Sequence, residues 1–341
     1  MHELLISVNG LHDELTTVDA YIDEYLETDM DTGVVADVFD SVRSPRGKMI
    51  RPCLLLLSAR FGPDYTSSRD RLCRLGALVE IIHMASLIHD DIIDNSPLRR
   101  GRSTVQARFG KDMAVYAGDF MLSRAMYYLS KENMLKAGAI MARTIEDMCR
   151  GELGQMVCRW DTETTLDAYL KNVYGKTVAL FVTAARLGAG ESGCADREIG
   201  YLGGIGEDLG YMFQMRDDLL DFVSDEKKEG KPVHKDFSDG IYTMPVLYAF
   251  GNADCGDRLR EIAALSSDTP GYAEYIFEMS ELIRVSGGLE FTGTQIESHA
   301  VQALRQLTTL PRRSATSVIK RLIRMLTSNY GMPISPAKQP L

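Results

Sequence analysis

The chain lacks a surplus of basic residues. Its 38 Lys and Arg residues are outnumbered by 48 Asp and Glu residues, so the formal net charge is −10. Because binding to nucleic-acid phosphates requires an excess of Lys and Arg, we expect no nucleic-acid partner. An acidic chain can still bind anionic small molecules, but it then needs local basic clusters or bound metal ions.

The chain also lacks cysteine pairs, linkers and long apolar runs. Its six cysteines include no C-x-x-C pair, which favours reduced thiols in a cytoplasm over disulfides or a zinc site. No Pro-, Gly- or Ser-rich linker divides the 341 residues, so one domain over residues 1–341 is predicted. No basic leader region and no run of about eighteen apolar residues occurs, so we expect neither secretion nor a transmembrane segment.

What the chain has in abundance is apolar spacing typical of helices. Runs rich in Ala, Leu, Met and Ile outnumber alternating strand patterns, which predicts an all-α fold. The predicted helical stretches are 72–93, 114–129, 134–151, 166–187, 199–223 and 244–250, with further helices after 258. The first is apolar almost all the way round, which is typical of a helix inside the molecule. The charged stretch 225–240 is predicted to be an ordered or closing loop.

Two aspartate clusters share the same spacing. They are Asp90, Asp91 and Asp94 in LIHDDIID, and Asp217, Asp218 and Asp221 in MFQMRDDLLD. On a helix, the first and last carboxylates of each cluster lie on one face. Carboxylates this close in an apolar stretch repel one another unless cations meet their charge, and oxygen ligands without His or Cys favour Mg²⁺ over Zn²⁺. One cluster alone would also fit a solvated helix end, but two matching clusters favour metal binding.

Basic and polar side chains accompany the clusters. Lys48 and Arg51 are three residues apart, on one face of a helix that the segment SPRG is predicted to start. His83 is two helical turns, about 10 Å, from the first cluster. The adjacent Arg99 and Arg100 can bind two phosphate groups. The other candidate donors are Lys176, Thr177, Gln214, Lys231 and Lys235. Taken singly, His83 is more typical of a satisfied core histidine, and each of the other residues is more typical of a surface charge.

Two nucleotide-binding motifs are incomplete. Gly175-Lys176-Thr177 has Leu170 where a P-loop requires glycine. Gly204-x-Gly206 has no glycine at 209 and no preceding strand, which excludes a dinucleotide-binding fold.

In order along the chain, the segments GKMIRP, EIIHMASLIHDDIID with LRRG, GKT and FQMRDDLLD resemble the motifs of the trans-isoprenyl diphosphate synthase family. They cover about residues 43–250. The first aspartate region is especially similar to that of the catalytic subunits of medium- and long-chain polyprenyl synthases, including the heptaprenyl enzymes. The resemblance implies a single-domain bundle of roughly ten to thirteen mostly antiparallel helices around a deep central cavity. It also implies a homodimer, and a small regulatory subunit as a second possible partner.

The resemblance assigns a role to each candidate residue. About three Mg²⁺ ions would be held against the allylic diphosphate by Asp90, Asp91, Asp94, Asp217, Asp218 and Asp221. The same diphosphate, of a geranyl, farnesyl or geranylgeranyl primer, would contact Arg99, Lys176, Thr177, Gln214 and Lys231. Isopentenyl diphosphate would be bound by Lys48, Arg51, His83 and Arg100. Catalysis is assigned to all these aspartates except Asp221, together with Lys176. Ile241 stands where the family often has a lysine, a contact that Lys235 could supply.

Product length is predicted from the residues before the first cluster. In the family, aromatic residues four and five positions before the first aspartate form the floor of the cavity. Here these positions hold the small residues Ser86 and Ala85, so a prenyl chain could pass toward Ile82 and Val79. We therefore expect a product of about thirty to forty carbons, with a twenty-carbon product as the alternative.

Two other functions are open to the same motifs. A class I terpene cyclase shares the first aspartate motif, but its second metal site normally uses an Asn/Ser/Glu pattern instead of DDLLD. A non-catalytic partner subunit would not need both aspartate clusters, and both are present.

Overall fold

The computed structural model describes residues 10–28, 33–43, 47–99, 101–223 and 234–328. The predicted all-α fold is confirmed, and the described residues form a single short hairpin besides the helices. The first half contains α1 (Leu11–Tyr25), α2 (Val34–Arg43), α3 (Ile50–Ala59), α4 (Arg69–Ile93), the hairpin strands β1 (Leu98–Arg99) and β2 (Arg102–Ser103), α5 (Val105–Phe109), α6 (Lys111–Lys131) and α7 (Leu135–Val157). The strands are antiparallel, with Leu98 opposite Ser103.

The second half continues the bundle to residue 327. It contains α8 (Leu166–Val173), a π-helical turn (Tyr174–Val178), α9 (Ala179–Glu191), α10 (Asp196–Val223), α11 (Lys235–Ser238), α12 (Met244–Phe250), α13 (Gly256–Ala263), α14 (Tyr272–Val285), α15 (Gly288–Thr309) and α16 (Ser314–Thr327). Several helices begin at residues the sequence favours there. The hydroxyls of Thr104 and Thr165 accept hydrogen bonds from the first turns of α5 and α8, and Pro245 lies in the first turn of α12.

The core is organised around the two helices that carry the aspartate clusters. Helix α10 packs against α9 and α15, and α4 packs against α6 and α3. Each cluster lies at the C-terminal end of its helix, so the packing of α4 and α10 fixes where the carboxylates lie. By length and apolar composition α4 could also cross a membrane, but 67% of its most apolar stretch is buried inside the fold. That degree of burial is typical of a core helix.

One predicted helix starts later than expected. Helix α3 begins at Ile50, after Met49 in a left-handed conformation with φ of 51°, so Lys48 lies outside the helix. The prediction that Lys48 and Arg51 share one helix face is therefore wrong. A left-handed residue interrupts the helix, whereas Pro52 is tolerated because the N–H groups of the first turn need no helical partner. Ser44 and Pro45, the predicted start, lie outside the described residues.

A second predicted helix, 166–187, is interrupted by the π-helical turn. At this turn the chain meets α7 at two glycines. A Cβ atom on Gly151 would lie 2.4 Å from the backbone N of Lys176, and one on Gly175 would lie 2.4 Å from the carbonyl O of Asp147. Only glycine permits this approach. The turn thus lies directly against α7, with Lys176 and Thr177 in its middle.

Candidate functional site

The first aspartate cluster lies at the C-terminal end of α4. Asp91 is buried, and both of its carboxylate oxygens accept from Nε of Arg99, at 2.8 Å for Oδ1 and 3.0 Å for Oδ2. Burial raises the pKa of Asp91, and the charge of Arg99 opposes the rise. Burial also raises the pKa of Asp90 to about 7, although the charge of Lys176 acts to lower it. Asp90 thus needs further positive charge to be fully ionised at neutral pH.

The second cluster lies in the last two turns of α10. Asp218 is 1% exposed, and its oxygens accept hydrogen bonds from the hydroxyl of Tyr169 and, at 3.0 Å, from Nε2 of Gln214. Oγ1 of Thr177 donates to Oε1 of Gln214 at 2.8 Å, so the network reaches the π-helical turn. Burial raises the pKa of Asp218 to about 7. Asp218 is therefore held inside the protein, and its role as a metal ligand stays a prediction.

A carboxylate from outside both clusters joins the site. Asp236 lies in α11, and its charge acts on Asp217 from the second cluster and Asp94 from the first. Burial, together with these charges, raises the pKa of Asp236 to about 6. Burial, and then the charge of Asp236, raises the pKa of Asp221 to about 7. Sequence reasoning missed Asp236 because it stands in a charged segment outside both aspartate clusters.

Lys176 faces the first cluster from the π-helical turn. Its Nζ lies 2.9 Å from Oε1 of Glu152 on α7. Burial acts to lower the pKa of Lys176, but Glu152 and Asp90 outweigh burial and raise it, so Lys176 is protonated at neutral pH. Glu152 and the buried Tyr169 were not predicted, because a single polar residue on a helix gives no signal in the sequence. The structure thus joins α4, α7, α8 and α10 in one polar site.

The residues at this site fit divalent cations that are shared with a diphosphate. The donors are carboxylate oxygens, which hard cations such as Mg²⁺ prefer. Among the described residues, no three His, Cys, Asp or Glu side chains converge closely enough to hold a metal ion by themselves. The raised pKa values of Asp90 and Asp221 reflect the cost of negative charge at this site without cations.

A cleft of about 620 Å³ is lined by both Asp91 and Arg99. Its walls include His83 from α4 and Arg99 from the hairpin, which were predicted to bind different diphosphates. Two further cations, Arg102 and Arg108, line the cleft and were not predicted, because the sequence around them gives no pattern beyond isolated charges. Because Arg99 also contacts Asp91, it connects the cleft with the first cluster.

Of the other three residues predicted for isopentenyl diphosphate, Arg51 and Lys48 adjoin residues that line this cleft. Arg51 is buried, and its guanidinium lies 4.8 Å from the centroid of the Phe181 ring. Burial lowers the pKa of Arg51 to about 10, and the charge of Glu80, a residue of the cleft wall, opposes the shift. Gly47, next to Lys48, also lines the cleft. The third cation of the predicted set, Arg100, lies outside the described residues.

The four predicted chain-length residues differ in accessibility. Val79, Ile82 and Ala85 are fully or almost fully buried, whereas Ser86 is partly exposed. Oγ of Ser86 donates to the carbonyl O of His83 at 2.9 Å, so the hydroxyl is directed back to its own helix. Of this set, only Ser86 offers surface next to the aspartate cluster.

Two lysines were candidates near the second cluster. Lys231 lies outside the described residues. Lys235, the residue expected to compensate for Ile241, has its Nζ 3.5 Å from Oγ of Ser96, and its charge acts on Asp91. The structure therefore places Lys235 between the two clusters.

Known proteins resemble the chain over nearly its whole length. The sequence profile described as polyprenyl synthetase matches residues 33–279. Heptaprenyl diphosphate synthase component 2 of Bacillus subtilis is 32% identical over 316 residues, which cover 93% of this chain and 88% of that protein. Octaprenyl diphosphate synthase of Escherichia coli is 32% identical over 301 residues, covering 87% and 90% respectively.

Solved structures show the same fold. Heptaprenyl diphosphate synthase from Staphylococcus aureus superposes with a TM-score of 0.85 at 28% identity, over 94% of this chain and 98% of that chain. A polyprenyl synthase from Caulobacter crescentus, complexed with calcium and isoprenyl diphosphate, gives a TM-score of 0.84 at 27% identity, over 94% and 95%.

Proposed function

Because the chain belongs to the polyprenyl synthetase family and is thus a prenyltransferase, we propose that it adds isopentenyl diphosphate to an allylic diphosphate in a Mg²⁺-dependent reaction. The condensation is head-to-tail and trans, and it is repeated to give a medium- or long-chain polyprenyl diphosphate. One observation carries the proposal: Arg99 links a cleft that contains three arginines to a site where carboxylates of α4, α10 and α11 act on one another. Two anionic substrates can therefore bind side by side.

The carboxylates and Lys176 act on the allylic diphosphate. The six aspartates of the two clusters would hold Mg²⁺ with the diphosphate oxygens, and the ions would stabilise the negative charge that develops when the allylic C–O bond breaks. The ion pair with Glu152 holds Lys176 in place, so its positive charge is already positioned when the C–O bond breaks.

The cleft orients the second substrate. His83 lines it and would bind the diphosphate of isopentenyl diphosphate, while Arg99, which also contacts Asp91, would bind the allylic diphosphate, so that the two substrates lie side by side. The alkene attacks the carbocation, forming the new C–C bond. Loss of a proton from the adduct, to the departed diphosphate as base, restores an allylic diphosphate for another addition.

We propose a product of about thirty to forty carbons, in line with the sequence argument at Ser86. The heptaprenyl and octaprenyl relatives support this range. The burial of Ile82 and Val79 favours the alternative, a twenty-carbon product, because a longer chain requires those side chains to move.

We also propose that the enzyme is a homodimer in the cytoplasm. Large apolar side chains are exposed on α6, among them Tyr116 at 72% and Tyr127 at 53%, and eleven residues apart they lie on one face of the helix. All six cysteines are free thiols, which suits a reducing compartment. Light scattering on the eluting peak of a size-exclusion column should give twice the mass of the chain. A monomeric mass would contradict the dimer.

The experiment that tests the function uses the purified chain alone. We would incubate it with Mg²⁺, labelled isopentenyl diphosphate and farnesyl diphosphate, then remove the phosphates and size the products. A discrete band in the range of about thirty to forty carbons would support a self-sufficient polyprenyl synthase. A twenty-carbon band would support the shorter product. No turnover alone, with turnover restored by a small partner subunit, would support a two-component enzyme like the one the name of the Bacillus relative describes.

A further inference from the structure

The only tryptophan of the chain lies against the turn that follows α11. Trp160 follows α7 by three residues, adopts a left-handed conformation with φ of 65°, and is 52% exposed. A large residue rarely adopts this conformation without a compensating contact. None of the roles assigned above uses Trp160.

Trp160 and Arg159 hold the turn that follows α11 by three contacts. The backbone N–H of Trp160 donates to the carbonyl O of Gly240 at 2.8 Å, and Nε of Arg159 donates to the carbonyl O of Asp239 at 2.5 Å. The indole ring lies against the Cα atom of Gly240, where an added Cβ would come within 2.2 Å of Cδ2. Gly240 also has φ of 73°, a conformation that favours glycine, and it has no side chain that would clash with the indole ring.

The turn that follows α11 is hydrogen-bonded to the segment that contains two charged residues of the site, Asp236 and Lys235. The backbone N of Ile241 donates to the carbonyl O of Asp236 at 2.8 Å, and that of Gly240 donates to Phe237 at 3.0 Å, so residues 235–241 form one hydrogen-bonded unit. At the other end of this unit, Asp236 faces Asp217 and Asp94, and Lys235 lies near Ser96. A shift of Gly240 would therefore move both charges.

It is unfavourable to hold Asp236 at this position, because its charge and those of Asp217 and Asp94 repel one another in a partly buried site. We propose that Trp160 is a positioning residue, which holds the turn at Gly240 and thereby keeps Asp236 and Lys235 at the allylic diphosphate site. This inference rests on the proposed function. It predicts an effect on one substrate and on the metal ions, but not on the substrate in the cleft.

Three variants test the contact by steady-state kinetics. Trp160→Ala should raise both the KM for farnesyl diphosphate and the Mg²⁺ concentration for half-maximal rate about tenfold. The KM for isopentenyl diphosphate should stay within about twofold, because none of the residues that line the cleft belongs to the turn. Trp160→Phe, which keeps a ring, should recover most of the loss. Arg159→Ala, which removes one exposed side chain, should shift the same parameters by less. Phe277→Ala, at an exposed aromatic residue on α14, is the matched control and should change none of them.

A binding measurement separates this inference from the proposed reaction. Calorimetry with Mg²⁺ and inorganic diphosphate needs no turnover, and Trp160→Ala and Arg159→Ala should both bind more weakly than wild type. The positioning role is wrong if the two KM values rise together, or if diphosphate affinity is unchanged in both variants. If wild type transfers no prenyl group but the variants still lose diphosphate affinity, the reaction is wrong and the positioning role stands.

Discussion

At the scale of single residues, the carboxylate of Asp218 is fixed by hydrogen bonds from two other side chains. The hydroxyl of Tyr169 and the amide of Gln214 each donate to one oxygen of Asp218, inside the protein. Gln214 in turn accepts from Thr177, so one chain of hydrogen bonds sets the orientation of α10 relative to the π-helical turn. A buried carboxylate is tolerated only when such partners are present.

Tyr169→Phe removes one of these donors. It should lower the free energy of unfolding by about 1–3 kcal/mol, because an oxygen of Asp218 is left buried without a donor. The rate of prenyl transfer should also fall. Urea unfolding followed by circular dichroism measures the first effect. Tyr127→Phe, at an exposed tyrosine, is the control, and an equal loss in both variants would contradict the explanation.

The residues before the first cluster make a second prediction at this scale. Ser86→Phe should shorten the product, because the ring would occupy the surface beside the aspartates. Ala85→Phe should instead destabilise the fold by about 1–3 kcal/mol, because Ala85 has no accessible space around it. Chromatography of the dephosphorylated products and thermal melts separate the two effects. A product of unchanged length from Ser86→Phe would exclude Ser86 as the floor.

At the scale of elements, the close contact between α7 and the π-helical turn decides where Lys176 lies. Gly151→Ala would force the two elements apart, since the new methyl group meets backbone and not a flexible side chain. We expect a loss of about 1–3 kcal/mol in unfolding free energy and a higher KM for the allylic diphosphate. Gly293→Ala on α15 is the control, with open space around it, and should stabilise by about 0.4–1 kcal/mol. Equal behaviour of the two variants in unfolding and kinetic assays would contradict this reading.

The long helices were predictable from the sequence, and their interruptions were not. Apolar spacing predicted α4, α6, α7 and α10 to within a few residues at most ends, and it predicted Met244–Phe250 at both ends. The π-helical turn escaped prediction because it depends on Gly151, which lies in another helix and is distant in sequence. Likewise, the start of α3 depends on the backbone of Met49, a residue whose type does not favour a left-handed conformation.

The candidate site was predicted in the same uneven way. Residues in ordered motifs, such as Asp90 and Asp217, were found because their spacing repeats. Asp236 and Glu152 were missed because neither belongs to a repeated motif, and the fold brings each to the site from a separate helix. Spacing within one helix is visible in a sequence, whereas proximity between helices depends on the packing of the whole core.

At the scale of the whole molecule, the carboxylates couple stability to pH and metal ions. In the absence of metal, burial raises the pKa values of Asp90, Asp218 and Asp221 from 3.8 to about 7. A raised carboxyl pKa in the folded state means that stability is full below about pH 4 and declines as pH rises toward 7. Bound cations should offset this cost of burying negative charge.

We therefore expect the metal-free chain to melt lower at pH 8 than at pH 5, by a shift on the order of 5 °C. Mg²⁺ with inorganic diphosphate should remove most of the difference, because both bind only the folded state. Differential scanning calorimetry at the two pH values, with and without these ligands, measures the effect. Asp90→Asn should reduce the pH dependence, and an unchanged dependence in that variant would show that other groups cause it.

Both aspartate clusters lie at the C-terminal ends of long helices, α4 and α10, and this placement has an electrostatic consequence of its own. The aligned peptide dipoles of a helix give its C-terminal end the equivalent of about half a negative charge. The backbone therefore adds to the field of the carboxylates, and replacing an aspartate by asparagine leaves that part of the field in place. Such a field repels a bare diphosphate anion. We thus expect the substrate to enter as its complex with metal ions, so that the backbone itself selects for the cation-bound form.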